Sequence, residues 1–152
     1  MPYSTSISRV IPAPPAAVYA ALLDATAVAR WRVPDGMTAV VHEFEPVVGG
    51  RIRVSLTYDE ADATGKTSAH TDTYGGEFID LVPDSRVVEV TRFETDDPEL
   101  QGAMTMTTSL TAVAGGTEVT IHHDGVPDAI RPADNELGML MALEKLSRLL
   151  SG

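Results

Sequence analysis

RPADNELGMLMALEKLSRLL (131–150) is the longest helix-compatible run in the chain, and its reading decides the fold. Pro132 suits a first helical turn, where a missing N–H costs nothing. Asp134 and Glu136 lie near the start and Lys145 and Arg148 near the end, matching the helix macrodipole at both ends. At about 100° per residue, Met139, Ala142, Leu143, Leu146, Leu149 and Leu150 share one face, the apolar stripe of a packed helix. Leu137, Leu140 and Met141 fall on the opposite face, beside Glu144 and Arg148. The first half is thus apolar nearly all round and wants a second partner.

Upstream, the pattern is mostly that of strands. Residues 3–11 (YSTSISRVI) read as a strand, ended by Pro12, Pro14 and Pro15. Two short helical pieces follow, at 15–24 and 25–31. After the turn Pro34-Asp35-Gly36, period-2 runs occupy 38–45, 51–58, 70–82, 85–94, 102–113 and 117–123. In 51–58, Ile52, Val54, Leu56 and Tyr58 alternate with Arg51, Arg53, Ser55 and Thr57. Polar loops are expected at 59–69 and 95–100, and a hairpin turn at Gly115-Gly116. Gly75-Gly76 inside a strand predicts a bulge or sharp bend. The order is strand, two helices, six strands, long helix. Consecutive strands on short turns imply a mainly antiparallel sheet, hence an α+β fold. Only the last helix is long enough to cover it, and a curved sheet around one helix encloses space that small side chains leave unfilled.

Composition narrows the function classes. The 152 residues suit one domain spanning 1–152 with a sizeable core. A net charge of −11, from 11 Lys and Arg against 22 Asp and Glu, argues against partners made of nucleic acid or anionic membrane. With no Cys, thiolate chemistry and disulfides are excluded. No run is long and apolar enough to span a membrane, and MPYSTSISRV lacks the basic and apolar regions of a signal peptide. A cytoplasmic protein is the expectation.

Several pieces of sequence carry a resemblance. They are R-x-I-x-A-P-x-x-x-V-Y-x-A-L (Arg9 to Leu22), A-R-W (Ala29 to Trp31), G-G-R-I-R (Gly49 to Arg53), L-V-P-D-S-R-V-V (Leu81 to Val88), G-G-T-E-V-T-I-x-H (Gly115 to His123) and N-E-L-G before the helix core. In this order and spacing the chain resembles bacterial single-domain members of the family related to the C-terminal domain of activator of Hsp90 ATPase, within the START-like, Bet v 1-like helix-grip superfamily. The resemblance covers essentially the whole chain. It implies a curved antiparallel sheet of about seven strands gripping the terminal helix, two short helices after the first strand, and a mostly apolar cavity. Relatives often carry Trp after the Gly of the terminal helix; Met139 stands there and should widen the cavity.

On that expectation Trp31, Met37, Tyr58, Phe78, Phe93, Met104, Met106, Met139 and Leu143 are candidate cavity walls, against the plainer reading that they fill the core. His70-x-Asp72-x-Tyr74 share one strand face and have the residue types of acid/base chemistry; cross-strand hydrogen bonding is the plainer alternative. His123 shares a face with Val119 and Ile121 and should point toward the cavity, while His122 points away. No metal is expected: there is no His-x₃-His helix, and adjacent His122 and His123 face opposite sides of a strand. Gly-x-Ser-x-Gly and phosphate-cradling motifs are absent from the sequence, and no cofactor is expected.

Three functions remain in view. The leading one is non-enzymatic binding of a small hydrophobic or amphipathic molecule between sheet and terminal helix. The second is a cyclase- or hydrolase-like enzyme using His70, Asp72, Tyr74 and His123. The third is an Hsp90-activator-like interaction domain, for which a filled cavity and an apolar exterior patch are expected; the lack of an additional N-terminal domain in this sequence weakens that analogy. Leu137, Leu140 and Met141 are expected to form a homodimer contact or a lid at the cavity mouth.

Overall fold

The computed structural model describes residues 2–59 and 71–151. Its elements are β1 (Tyr3–Ile11), α1 (Pro15–Leu22), α2 (Ala25–Trp31), β2 (Met37–Phe44), β3 (Arg51–Tyr58), β4 (Thr71–Val82), β5 (Arg86–Phe93), β6 (Met104–Val113), β7 (Gly116–Val126) and α3 (Pro132–Ser151). The strands form one seven-stranded sheet in the order β1-β7-β6-β5-β4-β3-β2, with every neighbouring pair antiparallel. With α3 held against it, this is the α+β helix-grip architecture expected from the sequence. Among the described residues, no helix is long and apolar enough to cross a membrane.

Local chemistry sets the element ends. Extended Pro14 hands over to Pro15, which opens α1. The Asp24 carboxylate caps α2, accepting from the backbone N–H of Thr26 at 2.8 Å and of Ala27 at 3.1 Å. The β4–β5 turn places Asp84 at φ 59, a left-handed conformation that Asp tolerates. β7 runs three residues past the expected end at 123, because Asp124 still pairs with Thr105 and Val126 with Tyr3.

The predicted stripe of α3 is the buried one: Met139, Ala142, Leu143 and Leu146 are covered, together with Ser147, while Leu149 and Leu150 are half-buried. Leu143 and Leu146 join fully buried Ile11, Phe78 and Ile121 in the core. The helix lies nearest β1 and α2. Lys145 fixes one side by donating to the Val33 carbonyl at 2.5 Å and pairing with Asp35 at 3.1 Å. The Tyr3 and Thr5 hydroxyls of β1 donate to the Ile130 carbonyl and to Asn135 Oδ1, fixing the other. Thus α3 is anchored along the β1 edge and against α2, and its first half spans the concave face of the sheet.

Register shifts bend β1, β2 and β4. The shift in β4 falls at Ile79, not at the expected Gly75-Gly76, which stay in register with Arg92 and Thr91. The Gly76 requirement is close approach: an added Cβ would lie 1.8 Å from the Val90 carbonyl oxygen and 2.8 Å from Thr91 Cα. Gly76→Ala must force β5 away from β4. We expect it to cost about 1–3 kcal/mol in urea denaturation; a cost within error of zero would show that these strands separate freely.

Candidate functional site

A cavity of about 750 Å³ lies between the inner sheet face, the end of α2 and the first half of α3. Strand register decides which side chains share that face. Phe78, Glu89, Met106, His123 and Thr5 stand opposite one another across β4, β5, β6, β7 and β1. Neighbouring rows hold Val54, Tyr74 and Phe93, and Leu56 with Asp72. Directly opposed side chains in such rows sit about 5 Å apart at Cβ, so these residues form continuous walls.

Most of the expected wall residues line this space. Trp31, Met37, Tyr58 and Phe93 do, as do Met104, Met106, His123 and Met139. Phe78 and Leu143 do not. Phe78 is 1% exposed and packs edge-on against Phe44, ring centroids 5.5 Å apart, while Leu143 is wholly enclosed in the core. Leu137 and Met141 also line the cavity, whereas Leu140 points outward and is 44% exposed. Of the polar strand triplet, Asp72 and Tyr74 face the cavity together, and His70 lies outside the described residues. His42 stands at the β2 register shift on the outer face, its Nε2 2.8 Å from Ser55 Oγ. Among the described residues no group of three or more His, Asp or Glu is placed to hold a metal ion. A smaller depression of about 470 Å³ on the outer sheet face, over Gly75 and Gly76, is lined by three arginines and three glutamates whose charges balance.

One buried feature escaped sequence reading. Arg32, directly after α2, extends inward to Glu89 of β5; the two side chains are only 16% and 3% exposed and form an ion pair. The guanidinium carbon lies 5.2 Å from the Tyr74 ring centroid, a cation–π contact. Burial pushes the Arg32 pKa down, but Glu89 and Tyr74 outweigh it and hold the guanidinium charged. The Tyr74 phenol is pushed up by burial, against the opposing pull of Arg32, and stays protonated. Its hydroxyl is sealed beside Arg32, without an aligned hydrogen-bond partner among the described residues and without exposed surface. The signal was present in β5: Glu89 alternates with Val87 and Thr91, both buried, and an acid on an inward strand face demands a cation.

His123 is held differently. Asn135 Nδ2 of α3 lies 3.2 Å from its Nδ1, and Asn135 in turn accepts from the Thr5 hydroxyl. Burial first, then the nearby Arg32 charge, lower the His123 pKa from 6.5 to about 4. The unfolded chain therefore binds a proton that the folded chain refuses between those values, so folding stability is full above pH 6.5 and falls as pH drops toward 4. The loss attributable to this group is about 3 kcal/mol. Subtracting the stability-versus-pH curve of His123→Gln from that of wild type should isolate it; parallel curves across this window would contradict the buried, neutral state.

The comparisons with known proteins agree with the geometry. No curated protein matches the chain in sequence. A solved structure from Chromobacterium violaceum is 33% identical, covers 98% of this chain and 97% of its own, and superposes with a TM-score of 0.87. One from Rhodobacter sphaeroides is 25% identical over 97% and 91% of the two chains, with a TM-score of 0.81. An AHSA1-like protein from Aeromonas hydrophila, at 22% identity over 96% and 90% of the two chains, shares the fold with a TM-score of 0.73. The family model described as activator of Hsp90 ATPase homolog 1-like protein matches residues 12–151. Because that match takes in everything from the end of β1 to the last turn of α3, the chain belongs to the activator of Hsp90 ATPase homologue 1-like family.

Proposed function

We propose that the protein binds a small hydrophobic or amphipathic molecule in the cavity between the sheet and α3. The observation that carries this reading is the cavity itself: about 750 Å³, walled by aromatic and methionine side chains, with the glycine face of α3 on one side. Space of this size and lining suits a small-molecule site. Covering about 300 Å² of apolar ligand surface would contribute about 7 kcal/mol before association costs, which limits affinity from this term alone to about 10 μM or weaker.

The acid/base alternative is weaker on chemistry. Catalytic proton transfer works best with pKa values near the working pH and with reachable atoms. His123 is neutral down to about pH 4, and the Tyr74 hydroxyl is sealed behind the cavity surface. The interaction-domain alternative called for a filled cavity, and this one is open; exposed Val47 and Val48, 58% and 63% accessible, supply only the exterior half of that expectation. Leu137 and Met141 favour a role at the cavity mouth, which leaves a homodimer through this face resting on Leu140.

Titration with N-phenyl-1-naphthylamine, an uncharged apolar fluorophore, tests the reading. Saturable one-to-one binding with enhanced emission is expected; emission that rises linearly with probe and never saturates would contradict it.

A further inference from the structure

The charges around the cavity carry its reading further. Its lining includes two cationic side chains, Arg32 and Arg131, and four carboxylates, Asp35, Asp72, Asp97 and Asp134. Arg32 is already engaged by Glu89, and Lys145, which could have served the mouth, is engaged by Asp35 and the Val33 carbonyl. Arg131 is exposed on the rim, within one turn of Asp134. Among the described residues the interior thus offers no uncompensated cation to a ligand anion, and the chain as a whole carries −11. Bringing a carboxylate head into this cavity would leave it desolvated without a partner, a heavy cost.

What the interior does offer is a neutral donor. Asn135 Nδ2 can only donate, so His123 Nδ1 accepts and the ring's single proton sits on Nε2. The Thr5 hydroxyl, donating to Asn135 Oδ1, holds the amide in that orientation from β1. The His123 ring makes no other hydrogen bond among the described residues, and it lines the cavity. The relay Thr5–Asn135–His123 therefore ends in an N–H with unused capacity, at the place where α3 first covers the sheet.

We infer that the ligand is an uncharged amphiphile whose polar end is an acceptor oxygen, a carbonyl or ether, received by Nε2–H of His123 while its apolar body fills the methionine- and aromatic-walled space. This rests on the cavity being a binding site, as proposed above.

Four probes on one ring system test it: 2-acetylnaphthalene, 2-ethylnaphthalene, 2-naphthoate and 2-(aminomethyl)naphthalene, titrated at pH 7.5 by calorimetry. The ketone should bind about five- to tenfold more tightly than the hydrocarbon, the worth of one net hydrogen bond, and more tightly than either ion. His123→Phe should bring the ketone-to-hydrocarbon affinity ratio to about one. Nitrogen-15 chemical shifts of the wild-type imidazole should show the Nε2–H form of His123, a readout that does not depend on any variant folding. A hydrocarbon that binds as well as the ketone, an ion that binds best, or an Nδ1–H tautomer would each overturn the inference while leaving the cavity a binding site. If none of the four binds, the binding reading falls with it.

Discussion

Glu89→Ala should cost about 3–5 kcal/mol of stability, the largest loss we expect from any single substitution outside the apolar core. The reason is what the change leaves behind. Arg32 is charged, 16% exposed and enclosed by the end of α2 and the inner sheet face, with Glu89 as its ion-pair partner and the Tyr74 ring beside it. Removing the carboxylate strands a desolvated cation that the surrounding apolar groups cannot satisfy. Arg32→Ala should cost a similar amount by stranding Glu89. Replacing both, as Arg32→Met with Glu89→Leu, should recover most of the loss, because an apolar pair of similar volume avoids desolvating two charges. The exposed pair of Arg53 and Glu94 provides the contrast. Its hydrogen bonds of 2.7 and 2.9 Å are good, but its side chains are 42% and 43% exposed, so Arg53→Ala should cost no more than about 1 kcal/mol. Urea denaturation of these variants checks the ordering. Equal, small losses at Glu89 and Arg53 would mean that the inner pair is not desolvated.

Gly138→Phe should abolish ligand binding without unfolding the protein. Gly138 lies on the cavity-facing side of α3, and a Cβ built there meets nothing within 4 Å. Its backbone is helical, so a side chain brings no strain of its own. Gly138→Ala should stabilise the helix by about 0.5–1 kcal/mol and leave affinity for N-phenyl-1-naphthylamine nearly unchanged. A phenyl ring at the same position would occupy space that a ligand needs. We expect its dissociation constant for that probe to rise at least about tenfold, equivalent to 1.4 kcal/mol, with a melting temperature at or above that of wild type. Loss of binding with unchanged stability separates a filled site from a damaged fold.

How legible this was in the sequence depended on the range of the interactions involved. The buried stripe of α3 could be read directly, since helical period and burial coincide over about three turns, from Met139 to Leu150. The antiparallel pairing of successive strands followed from short turns, while the place of β1 beside β7 did not; alternation gave the inward direction of His123 and put Asp72 and Tyr74 on one face without saying which. Alternation does not say how far along a strand a side chain sits. Phe78 shares its face with Tyr74 but lies four residues on, where Phe44 meets it and the cavity has ended. Leu143 follows Met139 by one turn of α3, and that turn takes it from the cavity wall into the closed core. The union of Arg32 with Glu89 spans α2 and β5, and no local pattern links them; only the oddity of an acid between buried residues hinted at a partner. Asn135 was visible as part of N-E-L-G, but its place between Thr5 and His123 needs β1, β7 and α3 to be assembled first.

The central claim is that the space under α3 is a ligand site. Native mass spectrometry of wild type and Gly138→Phe, purified side by side and titrated with N-phenyl-1-naphthylamine, tests it most directly. We predict a saturable one-to-one complex on wild type and its loss on the variant. Wild type that forms no complex, or a variant that binds the probe as well as wild type, would contradict the account.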